Sequence, residues 1–169
     1  MLQLTPRLKR QLDKKSSLEK LLTLNQHKIR LGLSRIKKVI KKLKLTQKPN
    51  VKYLSVNGTS AKNSIIQIFK SILIQHKQKY AATYSPHLVT ITERFEHNQK
   101  FIKLSKLKNI LTRVAKYKNL THFEKLVVAF GIFIKNLKLD WVIGEYGLFG
   151  RLDGIRALFN KPNYHIISP

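Results

Sequence analysis

Short runs of β-branched and aromatic residues alternate along this chain with longer segments whose apolar residues recur every three or four positions. The short runs lie at 51–56, 80–84, 141–145 and 164–167. The longer segments begin at Ser34 and also cover 64–76, 103–117 and 121–137. Strands that alternate with helices predict an α/β fold with a mostly parallel sheet flanked by helices.

The segment that begins at Ser34 has two opposite faces. Its apolar residues Ile36, Val39, Ile40 and Leu43 fall on one side of a helix. The other side carries Lys37, Lys38, Lys41, Lys42 and Lys44. Pro49 is the predicted end of this helix, because proline cannot continue the hydrogen-bond ladder.

Positive charge dominates the composition: 34 lysines and arginines face 8 acids, so the formal charge is +26. From Lys20 to Thr92 there are fifteen basic residues and no acid. Such charge repels itself, and a polyanion would relieve it through phosphate contacts and counterion release. Because the lysines are spread widely, the pattern favours wrapping by RNA over binding in a DNA groove. A solvated lysine surface from an AT-rich genome is the alternative.

Other features bound the class of protein. The chain has 169 residues and no cysteine, which suits one domain without disulfides. Its longest uncharged apolar run, 126–134, is far shorter than the roughly 20 residues of a spanning helix, so no membrane span is predicted. Residues 1–16 are predicted to be a basic extension, and whether it is a targeting segment stays open. Residues 17–169 are predicted to form one domain that begins with a helix over 17–24.

A candidate phosphate-binding loop follows the first predicted strand. The segment NGTSAKNS at 57–64 places a glycine turn, a lysine and a serine between a strand and a helix. In such loops backbone N–H groups and the lysine hold phosphates, while the hydroxyl binds Mg²⁺. An ordinary strand–turn–helix connection is the alternative.

Four stretches of the chain carry a shared pattern: LGLSRI at 31–36, GTSAKNS at 58–64, YSPHL at 84–88 with ERF at 93–95, and EYGLFGRLD at 145–153. Together they resemble the motifs L-x-L-x-R-I, G-T-N-G-K-G-S, T-S-P-H-L and E-R, and E-V-G-L-G-G-R-L-D of the folylpolyglutamate synthase/dihydrofolate synthase family, in the Mur ligase superfamily. The resemblance covers about 17–169 and implies the amino-terminal part of a P-loop-like ATP domain.

The resemblance implies roles for individual residues. Gly58, Thr59, Lys62 and Ser64 would be the phosphate-binding set, with Lys62 and Ser64 facing the nucleotide phosphates and Mg²⁺. Ser85 and Glu145 would lie near the metal ions. The family activates a folate carboxylate as an acyl phosphate, which glutamate then attacks.

Departures from the family pattern predict that this site is vestigial. Ala61 and Asn63 replace two loop glycines, and a side chain where φ is positive costs on the order of 1 kcal/mol. The chain also covers less than half of such a ligase, which cannot position three substrates with part of its site. We therefore expect no catalysis and no cofactor, with ATP and Mg²⁺ needed only if the chain is an enzyme fragment.

Charge and resemblance together predict a non-catalytic, RNA-associated structural protein derived from a folylpolyglutamate synthase. We expect a mitochondrial ribosomal protein of the matrix, with ribosomal RNA and neighbouring ribosomal proteins as partners and the five lysines 37, 38, 41, 42 and 44 on RNA. The alternative is a fragment or split subunit of the ATP-dependent ligase. Residues 93–102 are expected to form a hairpin or loop around His97 and Asn98, in which Glu93 and Glu96 serve only solubility.

Overall fold

The four β-branched runs form four neighbouring strands of one six-stranded sheet in the computed structural model, which describes residues 32–147 and 153–169. The strands are β1 (Lys52–Asn57), β2 (Tyr80–Thr83), β3 (Glu96–His97), β4 (Lys100–Phe101), β5 (Trp141–Glu145) and β6 (Tyr164–Ile167). Their order is β4-β3-β2-β5-β1-β6, and the four strands β2, β5, β1 and β6 run parallel. The predicted mostly parallel α/β sheet is confirmed.

Helices cover both faces of this sheet. They are α1 (Ser34–Lys42), α2 (Lys62–Gln75), α3 (Leu104–Ala115), α4 (His122–Ile134) and α5 (Gly154–Leu158). Helix α2 packs alone on one face, where Ile66 and Leu73 join Leu54 and Val56 of β1. The other four helices pack on the opposite face, in a core centred on the rings of α4. The result is three layers with the sheet in the middle.

Two helices show how local sequence determines the layers. In α1, Ile36 and Ile40 are buried, so the apolar face predicted for this helix does pack on the core. Helix α4 begins with a capping box, in which the Thr121 hydroxyl accepts from the Glu124 N–H and the Glu124 carboxylate accepts from the Thr121 N–H. This cap sets the start of the most apolar helix of the domain.

Helix α1 ends at Lys42, seven residues before Pro49, so the predicted end was wrong. The N–H of Leu45 donates to the Ile40 carbonyl at 3.0 Å, and that of Lys44 donates to Lys41 at 3.1 Å. Lys44 itself has a φ of 52°. This is a Schellman motif in which lysine occupies the left-handed position that usually holds glycine.

The hairpin or loop predicted at 93–102 around His97 and Asn98 is confirmed as the β3–β4 hairpin. A 3₁₀ turn, Ile91–Arg94, precedes it. The glycine cluster leads into the short helix α5, which the sequence pattern missed. Within the described ranges, no helix is long and apolar enough to cross a membrane. The basic extension at 1–16, the helix predicted over 17–24, Leu31 of the first motif and 148–152 of the last motif lie outside the described residues.

Candidate functional site

The loop between β1 and α2 contains two residues with positive φ. Gly58 has a φ of 129°, and a Cβ at that position would collide with Ser168. Ala61 caps the amino terminus of α2 with a φ of 59°, a left-handed conformation that glycine adopts more easily. The loop therefore keeps this backbone turn although alanine has replaced glycine.

Lys62 and Glu145 meet at the carboxyl edge of the sheet. The Lys62 Nζ donates to the carbonyl oxygens of Gly58 at 2.8 Å and Thr59 at 3.3 Å, and lies 3.7 Å from Glu145 Oε1. The other carboxylate oxygen of Glu145 accepts from the backbone N–H of Ser85 at 2.9 Å. Because β1, β2 and β5 run parallel, the loops that follow them converge here.

Ser64 and Thr59 complete the predicted set. Both are exposed, Ser64 on the first turn of α2 and Thr59 in the loop. We call Gly58, Thr59, Lys62, Ser64, Ser85 and Glu145 the phosphate-loop site. All six predicted residues thus lie at one edge of the sheet.

Two backbone donors of this site already have an acceptor. The N–H groups of Thr59 and Ser60 donate to the Pro169 carbonyl oxygen at 3.1 and 2.8 Å. The Ser168 hydroxyl donates to the carbonyls of Asn57 and Ser60, which holds this segment against the loop. A phosphate oxygen at these N–H groups would have to replace the Pro169 carbonyl.

The residues present fit a nucleoside triphosphate with Mg²⁺. The Lys62 ammonium and the Glu145 carboxylate lie 3.7 Å apart beside the loop, and the exposed Ser64 is on the first turn of the helix that follows it. Beside them Asn57 is 9% exposed, and its Oδ1 has no hydrogen-bond partner among the described residues. The described residues contain no group of three or more His, Asp or Glu that could hold a metal alone, so phosphate oxygens would complete the coordination.

The Glu93 carboxylate fixes the backbone of the segment after β2. Its carboxylate accepts from the N–H groups of Leu88, Val89 and Thr90 at 2.6 to 3.0 Å, and these bonds lower the pKa of Glu93. The His87 Nδ1 accepts from Arg94 Nε at 3.0 Å. Burial and the Arg94 charge lower the pKa of His87. Glu93 therefore has a structural role beyond solubility.

Glu96 was also wrongly assigned to solubility. It is 2% exposed and accepts from Lys70 Nζ at 2.8 Å, from the Tyr80 hydroxyl at 2.7 Å and from the Tyr84 hydroxyl. Burial, together with the Glu96 carboxylate, raises the pKa of both tyrosines well above its usual value. The sequence carried one signal for this cluster, since Lys70 interrupts the buried face formed by Ile66 and Leu73.

The lysines predicted to contact RNA all lie on the surface. Lys37, Lys38, Lys41 and Lys42 are exposed along α1, and Lys44 is exposed just beyond its end. Val39 and Leu43 are half-buried against the core together with Ile36 and Ile40. Helix α1 therefore presents an uninterrupted positive face, which we call the lysine face.

Known proteins with similar sequences are folate enzymes. No protein-family model matches the chain. The dihydrofolate synthetase of Saccharomyces cerevisiae is 33% identical over 135 residues, which cover 77% of this chain and 31% of the yeast protein. The dihydrofolate synthase/folylpolyglutamate synthase of Haemophilus influenzae is 33% identical over 74% of this chain and 29% of its own length.

Solved structures give the same relationship. Escherichia coli FolC in complex with DHPP and ADP superposes with a TM-score of 0.81 at 29% identity, covering 92% of this chain and 37% of that chain. A bifunctional folylpolyglutamate synthase/dihydrofolate synthase with Mn, AMPPNP and L-glutamate bound gives a TM-score of 0.79 at 29% identity, with 91% and 37% coverage.

The parallel sheet and the loop after β1 define part of a Mur-ligase-type domain. Within that class, the chain is homologous to dihydrofolate synthase/folylpolyglutamate synthases over about three quarters of its length. It spans about a third of the length of the relatives that it matches.

Proposed function

We propose that this chain supplies the phosphate-binding part of an ATP-dependent ligase that joins glutamate to a folate or its precursor. The observation that carries the proposal is the convergence of Lys62, Glu145 and Ser85 at the loop after β1, with contacts of 3.7 and 2.9 Å. Similar structures contain ADP, or AMPPNP with Mn, as bound groups, which agrees with this chemistry.

Each residue has a distinct role in this proposal. When ATP binds, Lys62 would exchange the carbonyls of Gly58 and Thr59 for phosphate oxygens, and Ser64 and Glu145 would hold the accompanying Mg²⁺. Bound ATP supplies the phosphoryl group that activates the carboxylate. Binding must first break the hydrogen bonds to the Pro169 carbonyl, so we expect a dissociation constant of about 1 mM or weaker, equal to roughly −4 kcal/mol.

Ligation requires more polypeptide than these 169 residues. Strand β6 is at the edge of the sheet, where Tyr164 is 50% and Ile167 78% exposed, and Ile68 of neighbouring α2 is 63% exposed. An exposed apolar edge strand favours pairing with further polypeptide. Since the chain spans about a third of its relatives, the folate and glutamate sites are proposed to lie largely in that additional part.

The test is equilibrium binding of MgATP to the purified chain and to two variants. Lys62→Met removes the ammonium at the loop, and Lys79→Met makes the same change at the opposite end of the sheet, where Lys79 is exposed. Saturable binding that weakens about tenfold only in Lys62→Met supports the proposal. Equal affinities for the two variants, or no binding at about 10 mM MgATP, would contradict it.

The second candidate function is a non-catalytic structural protein bound to ribosomal RNA in a mitochondrial ribosome. The lysine face favours it, because five exposed lysines occur within eight residues of a stretch without acids. Sedimentation of a native extract tests this candidate. The chain should travel with ribosomes and leave them as salt rises, whereas a chain that stays at the top of the gradient at low salt would exclude it.

A further inference from the structure

An apolar cavity opens near the amino ends of the strands, on the sheet face that carries α1 and α4. Its volume is about 210 Å³. Its floor includes core side chains that are each at most 9% exposed: Leu45, Val51, Leu139, Val142, Leu158 and Phe159. An apolar cavity of about 150 Å³ in another protein binds one benzene molecule. This cavity is therefore large enough for a small apolar group.

Lysines surround the mouth of this cavity, where the chain after α1 meets the chain after α4. They are Lys44, Lys48 and Lys135, and none of the described residues that line the cavity is acidic. The Lys135 Nζ donates to the Leu43 carbonyl at 2.9 Å, and the Lys48 Nζ donates to the Leu137 carbonyl at 2.8 Å. Because both bonds join the two walls of the mouth, they hold these ammonium groups in place.

The carboxyl-terminal ends of α1 and α4 oppose this positive charge only in part. Both helices end beside the mouth, and a helix carboxyl terminus carries about half a negative charge. Two such ends amount to about one negative charge, against three lysines. Each bridging ammonium group has three N–H donors and uses one of them in the contacts given above. The mouth therefore keeps a positive charge and further N–H donors.

A buried hydroxyl in the cavity wall offers one more donor. Tyr53 is 4% exposed, and its hydroxyl oxygen accepts from the Lys48 backbone N–H at 2.8 Å. The proton of this hydroxyl has no acceptor among the described residues. Burial raises the pKa of Tyr53, so the group keeps its proton at neutral pH. A buried O–H without an acceptor costs free energy, which a ligand oxygen would recover.

We propose that this cavity binds a small carboxylate with an apolar body. The apolar body fills the core-lined floor, and the carboxylate accepts from the Lys44 and Lys48 ammonium groups and the Tyr53 hydroxyl. Apolar walls with a few convergent polar groups are typical of ligand sites. No residue of the phosphate-loop site lines this cavity, and that site lies at the opposite, carboxyl edge of the sheet. The proposal therefore goes beyond the proposed function and does not depend on it.

Calorimetric titration of the full chain with three probes separates the two parts of the ligand. Hexanoate has both parts, hexan-1-ol has the apolar chain without the charge, and acetate has the carboxylate without the chain. We expect hexanoate to bind about tenfold more tightly than hexan-1-ol and acetate not to bind measurably. Hexanoate binding should have a negative heat-capacity change, because it buries apolar surface. Equal binding of hexanoate and hexan-1-ol overturns the proposal, as does hexanoate that does not bind at about 10 mM.

Two double variants with the same loss of charge test the mouth of the cavity. Lys44→Gln with Lys48→Gln changes the mouth, and glutamine at position 48 keeps an N–H donor for the Leu137 carbonyl. Lys100→Gln with Lys103→Gln is the control, because both lysines are exposed and neither lines the cavity. We expect hexanoate binding to weaken about tenfold in the mouth variant and less than about twofold in the control. Equal affinities of the two double variants for hexanoate overturn the proposal.

Val51→Phe tests the floor, because the larger side chain fills part of the cavity. Thermal melting shows whether this variant folds, and hexanoate should bind the folded variant at least about tenfold more weakly than the parent. A folded Val51→Phe variant that binds hexanoate as the parent does overturns the cavity as the site. If this variant does not fold, the probe comparison and the two double variants decide the proposal.

Discussion

Replacing Ala61 by glycine should stabilise the domain. Ala61 has a φ of 59° at the start of α2, where its Cβ meets the steric limits of the left-handed region. The residue is exposed, so the substitution removes no buried contact. Glycine at this position would relieve the backbone without changing the turn.

The expected gain is the difference between two opposing terms. Left-handed backbone costs a non-glycine residue roughly 1–2 kcal/mol. Glycine adds freedom to the unfolded chain, which costs roughly 0.4–1 kcal/mol. Ala61→Gly should therefore stabilise by about 0.5–1 kcal/mol, which raises Tm by roughly 1–4 °C for a domain of this size.

Thermal melting of the purified chain measures this change, and Ala115→Gly is the matched control. Ala115 is the last residue of α3 and has ordinary helical backbone, so the same substitution should destabilise by about 0.5–1 kcal/mol. The two variants should thus shift Tm in opposite directions. If Ala61→Gly lowers Tm as much as Ala115→Gly does, the left-handed turn at residue 61 is refuted.

Three further predictions concern buried charge, pH and salt. Glu96→Gln should cost about 3 kcal/mol in urea unfolding, because it leaves the Lys70 ammonium unpaired at 8% exposure; a loss below about 1 kcal/mol would contradict the buried pair. The lowered pKa of His87 means that its stabilising contribution is complete above about pH 6.5 and is lost as pH falls through the folded value. His87→Gln should flatten Tm between pH 5 and about 7, with a remaining slope from His97, whose pKa is lowered too. Because the net charge is +26, Tm should rise with salt, and a melting temperature that ignores salt would contradict the proposed self-repulsion.

The sequence predicted the strands well because their signals are local. Strands 141–145 and 164–167 occur with the bounds expected from their short apolar runs. The predicted end of α1 was wrong because the Schellman motif places lysine where the usual signal is glycine. Helix α5 was missed because its five residues are too few to show a helical period.

The phosphate-loop site was predicted from motifs, but its geometry was not. The contacts of Glu145 with Lys62 and Ser85 join residues 83 and 60 positions apart, which only the parallel topology brings together. The Lys70–Glu96 pair spans 26 positions and links a helix to a strand of a hairpin. No local pattern pairs such residues, although a lysine within an apolar helical face is a usable signal.

The most direct test of the central claim is a graft of this chain into a complete relative. The aligned part of the E. coli enzyme, 140 residues at 31% identity, is replaced by the corresponding residues of this chain. Thermal melting of each purified graft establishes that it folds. ATP-dependent ligation of glutamate is then measured for the graft and for its Lys62→Met and Lys79→Met variants.

The proposed function predicts ligation by the graft and by its Lys79→Met variant, and none above background for Lys62→Met. Ala61→Gly should leave the graft active, since it preserves the turn at the loop. A folded graft without ligation activity would contradict the account and favour the non-catalytic candidate. Activity that survives Lys62→Met would equally contradict the role assigned to the phosphate-loop site.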